Sequence, residues 1–331
     1  MKRSYLVAVL FAVFTLNSNL QAQPLITIDW VTVGDPGNSN DTTGYGAVAE
    51  EYRIMKFEFQ NSQYAAFLNS VDPNGTNPNS VYSADMGSNP LGGISFTSDN
   101  ASGSKYANRT DMGDKPVNYV SWFDAARVSN WLQNGQGSDS TETGAYTLNG
   151  ATSGNAPAVN SGATFYIPTE DQWYKAAYYK GGGTSAGYWD YATQSDAAPA
   201  PVTANETGIG SAGSTGNFGN WGVAADWNGQ DGNVTTVGSN GEASAYGAFD
   251  MSGNVSAWND QDGLDSALRG VRGGCWAHGS DSLSSSYGFT DAPTTENSFR
   301  GFRIASVPEP STHALLLMTG AGALWWARRR R

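Results

Sequence analysis

The sequence predicts an α+β domain, loop-rich, with short and mostly antiparallel strands and about three helices. Three observations lead there. Glu51 to Phe59 alternates, with Met55, Phe57 and Phe59 on one face and Lys56 and Glu58 on the other, the period of a half-buried strand. Three separate segments carry apolar residues at helical spacing behind capping residues. Between them run long stretches rich in Gly, Asn, Ser and Asp, in a chain of 331 residues with 41 Gly and only 15% charged residues. Such stretches make turns and loops rather than long regular elements.

Taken in order, the apolar run Leu25 to Ile28 suggests a first strand, followed by loop to Ala49. The alternating strand comes next. Asn61 is placed to cap a helix whose stripe is Tyr64, Phe67, Leu68 and Val71. Asp72 to Asp114 reads as a long surface loop with little regular structure. Ser121 caps a second helix with Asp124 as its box partner, and Ala125, Val128, Trp131 and Leu132 form the stripe. Gln133 to Ala163 reads as a polar insertion. Thr169 and Gln172 have capping-box spacing ahead of a third helix. Glu170 and Asp171 sit in its first turn, where the helix dipole favours acids, and Trp173, Ala176 and Ala177 face inward. Asp190 to Asn205 is Ala/Pro-rich loop. No internal repeat and no long uniform linker divides the chain, so residues 23–306 form one domain.

The two ends are addresses. A basic start, an apolar run from Tyr5 to Leu16 and the small-residue site at Leu20 to Ala22 make residues 1–22 a secretory signal. The C-terminal segment 307–331 opens with Val307-Pro-Glu-Pro310. An apolar stretch from Ser311 to Ala327 follows, near the lower length limit of a transmembrane helix. Four arginines close it, a cytoplasmic anchor by the positive-inside rule. The net charge is −12, and without the two ends 12 Lys+Arg face 29 Asp+Glu. That acidity argues against a nucleic-acid partner. The single cysteine, Cys275, excludes an internal disulfide and any two-cysteine metal site within one chain.

The densest motif text lies near the C-terminus. Tyr246 to Trp258 reads YGAFDMSGNVSAW, Leu268 to Trp276 reads LRGVRGGCW, and Arg300 to Ala305 reads RGFRIA. With the EFQN and PVNYVSW segments at Glu58 and Pro116 and the PTEDQW segment at Pro168, the ordered set resembles the formylglycine-generating enzyme family, the sulfatase-modifying-factor domain. The resemblance covers Val48 to Ala305. It implies that family's fold, related in shape to C-type lectins. The tail resembles a PEP-CTERM sorting signal. That implies an exosortase-type protease as partner, a transient stay in the inner membrane, and delivery to the cell surface or extracellular matrix of a Gram-negative bacterium.

The resemblance also nominates chemistry. Asn217, Phe218, Asp231 and Asn233 match the family's first calcium site, and hard oxygen donors on a turning loop suit Ca²⁺. The second site uses an Asn turn and a Glu. Here Asn254 is present but Ala257 replaces the Glu, so Asn254 is at best a weak ligand. The family's oxidation uses a cysteine pair that binds Cu(I). His278 stands at about the first of those positions and Leu283 at about the second, so no copper is expected. Cys275 and His278 remain the only candidate catalytic residues. The implied function is an exported, surface- or matrix-associated, non-catalytic binding domain, with an extracellular polysaccharide or peptide as possible ligand. Tyr188, Trp189, Tyr191, Trp221 and Trp227 are the aromatic candidates for contacting it, with core packing as their alternative role. The rival is an oxidoreductase-type enzyme of altered chemistry, with Cys275 and His278 in the family cleft.

Overall fold

A computed structural model of the protein describes residues 25–182, 186–264 and 266–308. The signal peptide and nearly all of the sorting tail, including the expected transmembrane stretch, lie outside the described residues. Among those described, no helix is long and apolar enough to cross a membrane. In chain order the first elements are β1 (Trp30–Val33), β2 (Tyr52–Met55), α1 (Asn61–Val71), α2 (Asp85–Ser88), β3 (Ile94–Phe96), β4 (Tyr106–Asn108) and α3 (Trp122–Gln133). Then come β5 (Phe165–Tyr166), α4 (Glu170–Tyr178), β6 (Ala200–Pro201), β7 (Phe218–Gly219), β8 (Ser256–Asn259), β9 (Arg269–Arg272), β10 (Phe289–Asp291), β11 (Arg300–Phe302) and β12 (Ala305–Ser306).

Two four-stranded sheets organise these elements. One runs β1-β2-β12-β5 and is antiparallel throughout. The other runs β10-β9-β8-β11, with β11 parallel to β8. The terminal R-G-F-R segment explains how they meet. Gly301 pairs with Ala257, and a Cβ there would come within 2.6 Å of Val255 Cγ2 and 2.9 Å of the Val117 carbonyl. Phe302 stacks on Phe59 at 4.9 Å between ring centroids. Arg303 is buried and donates to the carbonyls of Met55, Lys56 and Phe249. One segment thus closes both sheets. Trp258 is fully buried beneath them, its indole N–H donating to the Val120 carbonyl at 3.1 Å. The same core takes in Tyr64, Phe67 and Leu68 of α1 and Ala125, Val128, Trp131 and Leu132 of α3.

The α3 and α4 caps form as the spacing requires. Ser121 and Asp124 exchange hydrogen bonds, as do Thr169 and Gln172. Other expectations shift. The first strand is Trp30–Val33, not the Leu25 to Ile28 run. Asn61 is the first residue of α1 rather than its cap. Gln60 takes that place, with Gln63 Oε1 accepting from its N–H, while Asn61 Nδ2 donates to the Met112 carbonyl at 2.9 Å. Residues 72–114, expected as loop, hold the one-turn α2 and the β3–β4 hairpin, so the described residues include four α-helices. The polar insertion 133–163 contributes Ala145, Tyr146, Leu148 and Ala156 to the core. Glu58, expected on the outer face, is 1% exposed, because the strand ends at Met55 and the chain turns before it.

Candidate binding groove

The G-N turn at the heart of the motif text is a buried polar junction. Gly253 has φ 99°, and a Cβ there would lie 2.3 Å from the Asn220 carbonyl. Asn254 follows at φ 64°, a conformation Asn tolerates. Its Nδ2 donates to Glu58 Oε2 at 2.7 Å, and its Oδ1 accepts from Thr235 N at 2.9 Å and from Asn220 Nδ2 at 3.1 Å. The Glu58 carboxyl is pushed well above the usual carboxylate range, by burial first and by the nearby Asp250 charge second, while Arg303 opposes both. Asn254 therefore spends both ends of its amide on the scaffold.

The expected calcium residues are partly dispersed. Asn217 Oδ1 accepts from the Thr193 hydroxyl at 2.5 Å, and its Nδ2 donates to the Ala197 carbonyl at 2.9 Å. Phe218 is 38% exposed and Asp231 is also exposed, whereas Asn233 is buried. Asn233 Oδ1 accepts from Val234 N at 2.8 Å, and its carbonyl accepts from Asn220 Nδ2 at 2.8 Å. The unsatisfied oxygen in this region is Asn220 Oδ1, buried and without a donor; Asn233 Nδ2 is equally without an acceptor. A hard cation or a buried water suits such an oxygen. Sequence reasoning passed over Asn220, although it lies only three residues beyond Asn217.

The segment where the resemblance places the family's oxidation chemistry holds a buried thiol and a half-buried imidazole. Cys275 is fully buried, and burial pushes its thiol up. The His278 backbone N–H donates to the Cys275 carbonyl at 3.2 Å, while its ring packs on Phe299 at 5.4 Å. Burial and the Arg300 charge hold the His278 imidazole below its usual range. Leu283 is fully buried. A protonated, sealed thiol is a poor nucleophile and a poor metal ligand.

Open space lies immediately beyond this segment. A cavity of about 430 Å³ is lined by Asp190, Tyr191, Asp196, Asp281 and Tyr287 among others. A second, of about 370 Å³, is lined by Tyr45, Glu170, Asp171, Asp262, Arg272 and Phe289 among others. Ser286 lines both, so the two cavities are neighbours, and the surface they share is the candidate groove. Arg272, at the end of β9, organises the floor. Its Nε pairs with Glu170, and its Nη1 donates to the carbonyls of Ser285 at 2.7 Å and Tyr287 at 2.6 Å. Its guanidinium lies 5.0 Å from the Tyr45 ring and 5.1 Å from that of Tyr174. The chain passes so close at Gly288 that a Cβ there would come within 2.6 Å of Arg272 Cζ. Tyr45 reaches the groove on the 35–48 loop, which α4 holds: Tyr174 bonds to Asp41 and Thr43, Tyr179 to Asp35, and Asp171 to the Gly46 N–H.

Of the predicted surface aromatics, Tyr191 lines the groove. Trp227 is instead a core residue, its indole N–H donating to the Val234 carbonyl at 2.8 Å. Trp221 donates to the Pro199 carbonyl at 3.1 Å, Trp189 covers Lys180, and Tyr188 is tied to Asn38 and Ser39. Tyr45 and Tyr287, 41% and 40% exposed, are the platforms that sequence reasoning missed. Nothing in their local text marks them.

An α+β scaffold closed by an R-G-F-R strand, with a buried G-N turn and a groove along one side, defines the class. The chain belongs to the sulfatase-modifying factor enzyme 1-like domain family, which it matches over residues 34–307. Residues 306–331 match the PEP-CTERM protein-sorting motif, so the protein carries an export and surface-sorting address. Curated proteins give no match. Among solved structures it is similar to Treponema denticola variable protein 1, at 18% identity and a TM-score of 0.51, over 87% of this chain and 99% of that one. It is similar also to CarF, at 20% identity and a TM-score of 0.51, over 86% of this chain and 99% of that one. At these identities the likeness shows the fold alone.

Proposed function

We propose that this protein is an exported, cell-surface or matrix-associated binding domain that has kept the family scaffold without the family's copper-dependent oxidation. The observation that carries the reading is the buried Cys275 thiol, with no second cysteine in the chain. His278 and Leu283 occupy the positions where the resemblance places the copper-binding cysteines, and the one thiol of the chain is buried beside them. The groove next to that segment supplies the binding surface. The sorting tail supports processing by an exosortase-type protease and release from the inner membrane to the surface.

The loop around Asn220 and Asn233 belongs to the same reading. Calcium there, with Asn220 Oδ1 added to the donors expected from Asn217, Phe218, Asp231 and Asn233, would brace the scaffold rather than take part in chemistry.

Elemental mass spectrometry of the purified chain without its signal peptide tests both points. Calcium near one per chain, with no transition metal, is the expected result. Stoichiometric copper, iron or zinc, or an activity that Cys275→Ala or His278→Ala abolishes, would overturn the binding reading in favour of an altered enzyme.

A further inference from the structure

We propose that the groove joined at Ser286 takes an uncharged, hydroxyl-rich glycan, with Tyr287 and Tyr45 as platforms for two sugar rings. The inference rests on the binding-domain reading and names the ligand class of that site. Both cavities, about 430 and 370 Å³, are of ligand-site size. The first is lined mainly by polar atoms and the second about equally by polar and apolar atoms, as an amphipathic occupant requires.

The polar groups select further. Glu170 is neutralised by Arg272, and Asp196 is 3.9 Å from Lys180. Asp190, Asp281, Asp171 and Asp262 line the space with no ion pair among the described residues. Ionised carboxylates only accept hydrogen bonds. An occupant must therefore bring donors, as vicinal hydroxyls do. A polyuronate or sulfated chain would instead set like charges against these four groups.

The aromatic faces supply the other half of sugar recognition. Tyr45 and Tyr287 each leave about two-fifths of their surface open to solvent. Tyr45 is backed by Arg272 at 5.0 Å and by the Tyr174 ring at 6.0 Å, and Tyr287 leans on Phe289 at 6.1 Å. A partly open aromatic ring braced by its neighbours suits contact with the C–H groups of a pyranose. Arg272 also grips the Tyr287 carbonyl, so this platform is set before a ligand arrives and less ordering is needed on binding.

Isothermal titration of the chain without its signal peptide against cellohexaose, laminarihexaose and polygalacturonate tests the assignment. At least one neutral hexaose should bind, Tyr287→Ala and Tyr45→Ala should each weaken it about tenfold or more, and polygalacturonate should not bind. Thermal melts of both variants should match the parent, so that lost binding is not lost fold. Three results would each overturn the glycan assignment: no binding of either hexaose up to about 10 mM, preferential binding of polygalacturonate, or hexaose binding that ignores both tyrosines. None of these touches the binding-domain reading, which falls only on the transition-metal or Cys275/His278 results above.

Discussion

Two regions of this protein, the Glu58–Asn254–Arg303 junction and the groove edge from Cys275 to Phe289, use similar side chains to opposite ends. At the junction every charge is enclosed: Glu58, Asn254 and Arg303 are at most 1% exposed and spend their polar atoms on one another and on backbone. At the groove Arg272 is also buried, but it holds two carbonyls in place beneath tyrosines that remain open to solvent. The first region contains the family's most recognisable text, and the second contains the departures from it. Scaffold motifs persist because removing one partner of a buried polar set strands the others, whereas a rim position can change without unfolding the chain.

The largest expected effect tests the junction. Arg303→Ala removes the cation that opposes Glu58 and Asp250 and takes a donor from three carbonyls, and should cost about 3–5 kcal/mol in urea unfolding. A loss under about 1 kcal/mol would show the junction to be no more demanding than the rim. Gly301→Ala should follow at about 1–3 kcal/mol, from the contacts its Cβ makes with Val255 and the Val117 carbonyl.

Chelation sharpens the meaning of the orphan oxygen. If Asn220 Oδ1 faces calcium, excess EDTA should lower Tm by several degrees, since a cation at about 100 times its Kd adds about 2.7 kcal/mol. An unchanged Tm would assign a water to that place.

Proton linkage gives a signed test. Burial raises Asp124 to about 6 and both Asp260 and Glu296 to about 7. A carboxyl raised on folding stabilises below its unfolded pKa of about 4, and that contribution is lost as pH rises through the folded value. Glu142 acts in the opposite sense: burial would raise it, but Arg127 outweighs burial and holds it low, so its stabilisation fades on acidification. Glu58 and Asp250 are raised as well, and Glu142 titrates below this interval, so Tm should fall by at least about 5 °C between pH 5 and pH 8. A Tm that rises across that interval would show these carboxylates to be better compensated than their burial implies. The smallest effect belongs to the rim. Tyr287→Ala should change unfolding free energy by no more than about 0.5 kcal/mol while weakening the ligand.

Local text was enough for the capped helices, since Ser121 with Asp124 and Thr169 with Gln172 satisfy their own backbone within one turn. It was enough for the R-G-F-R closure and for Trp258 as a core anchor. It misled where a partner distant in sequence decided the outcome. Glu58 is buried because the Asn254 side chain and the Val255 amide, nearly two hundred residues on, donate to its carboxyl oxygens. Tyr146 is core because its hydroxyl meets Asp260 and the Ile167 amide. For Trp227 the sequence left platform and core both open, and the Val234 carbonyl, which takes its indole N–H, decides for the core.

By itself the sequence determined the family scaffold, the two address segments and the lack of a second cysteine, because each is a matter of residue identity or short-range spacing. Only the tertiary structure decided the groove. Its walls come from the Tyr45 loop, the start of α4, the 190–198 loop, the Gln261–Asp262 turn and the 270–290 hairpin. No periodicity or motif links those stretches. Their approach depends on Arg272, Glu170 and the tyrosines of α4 finding one another across the fold.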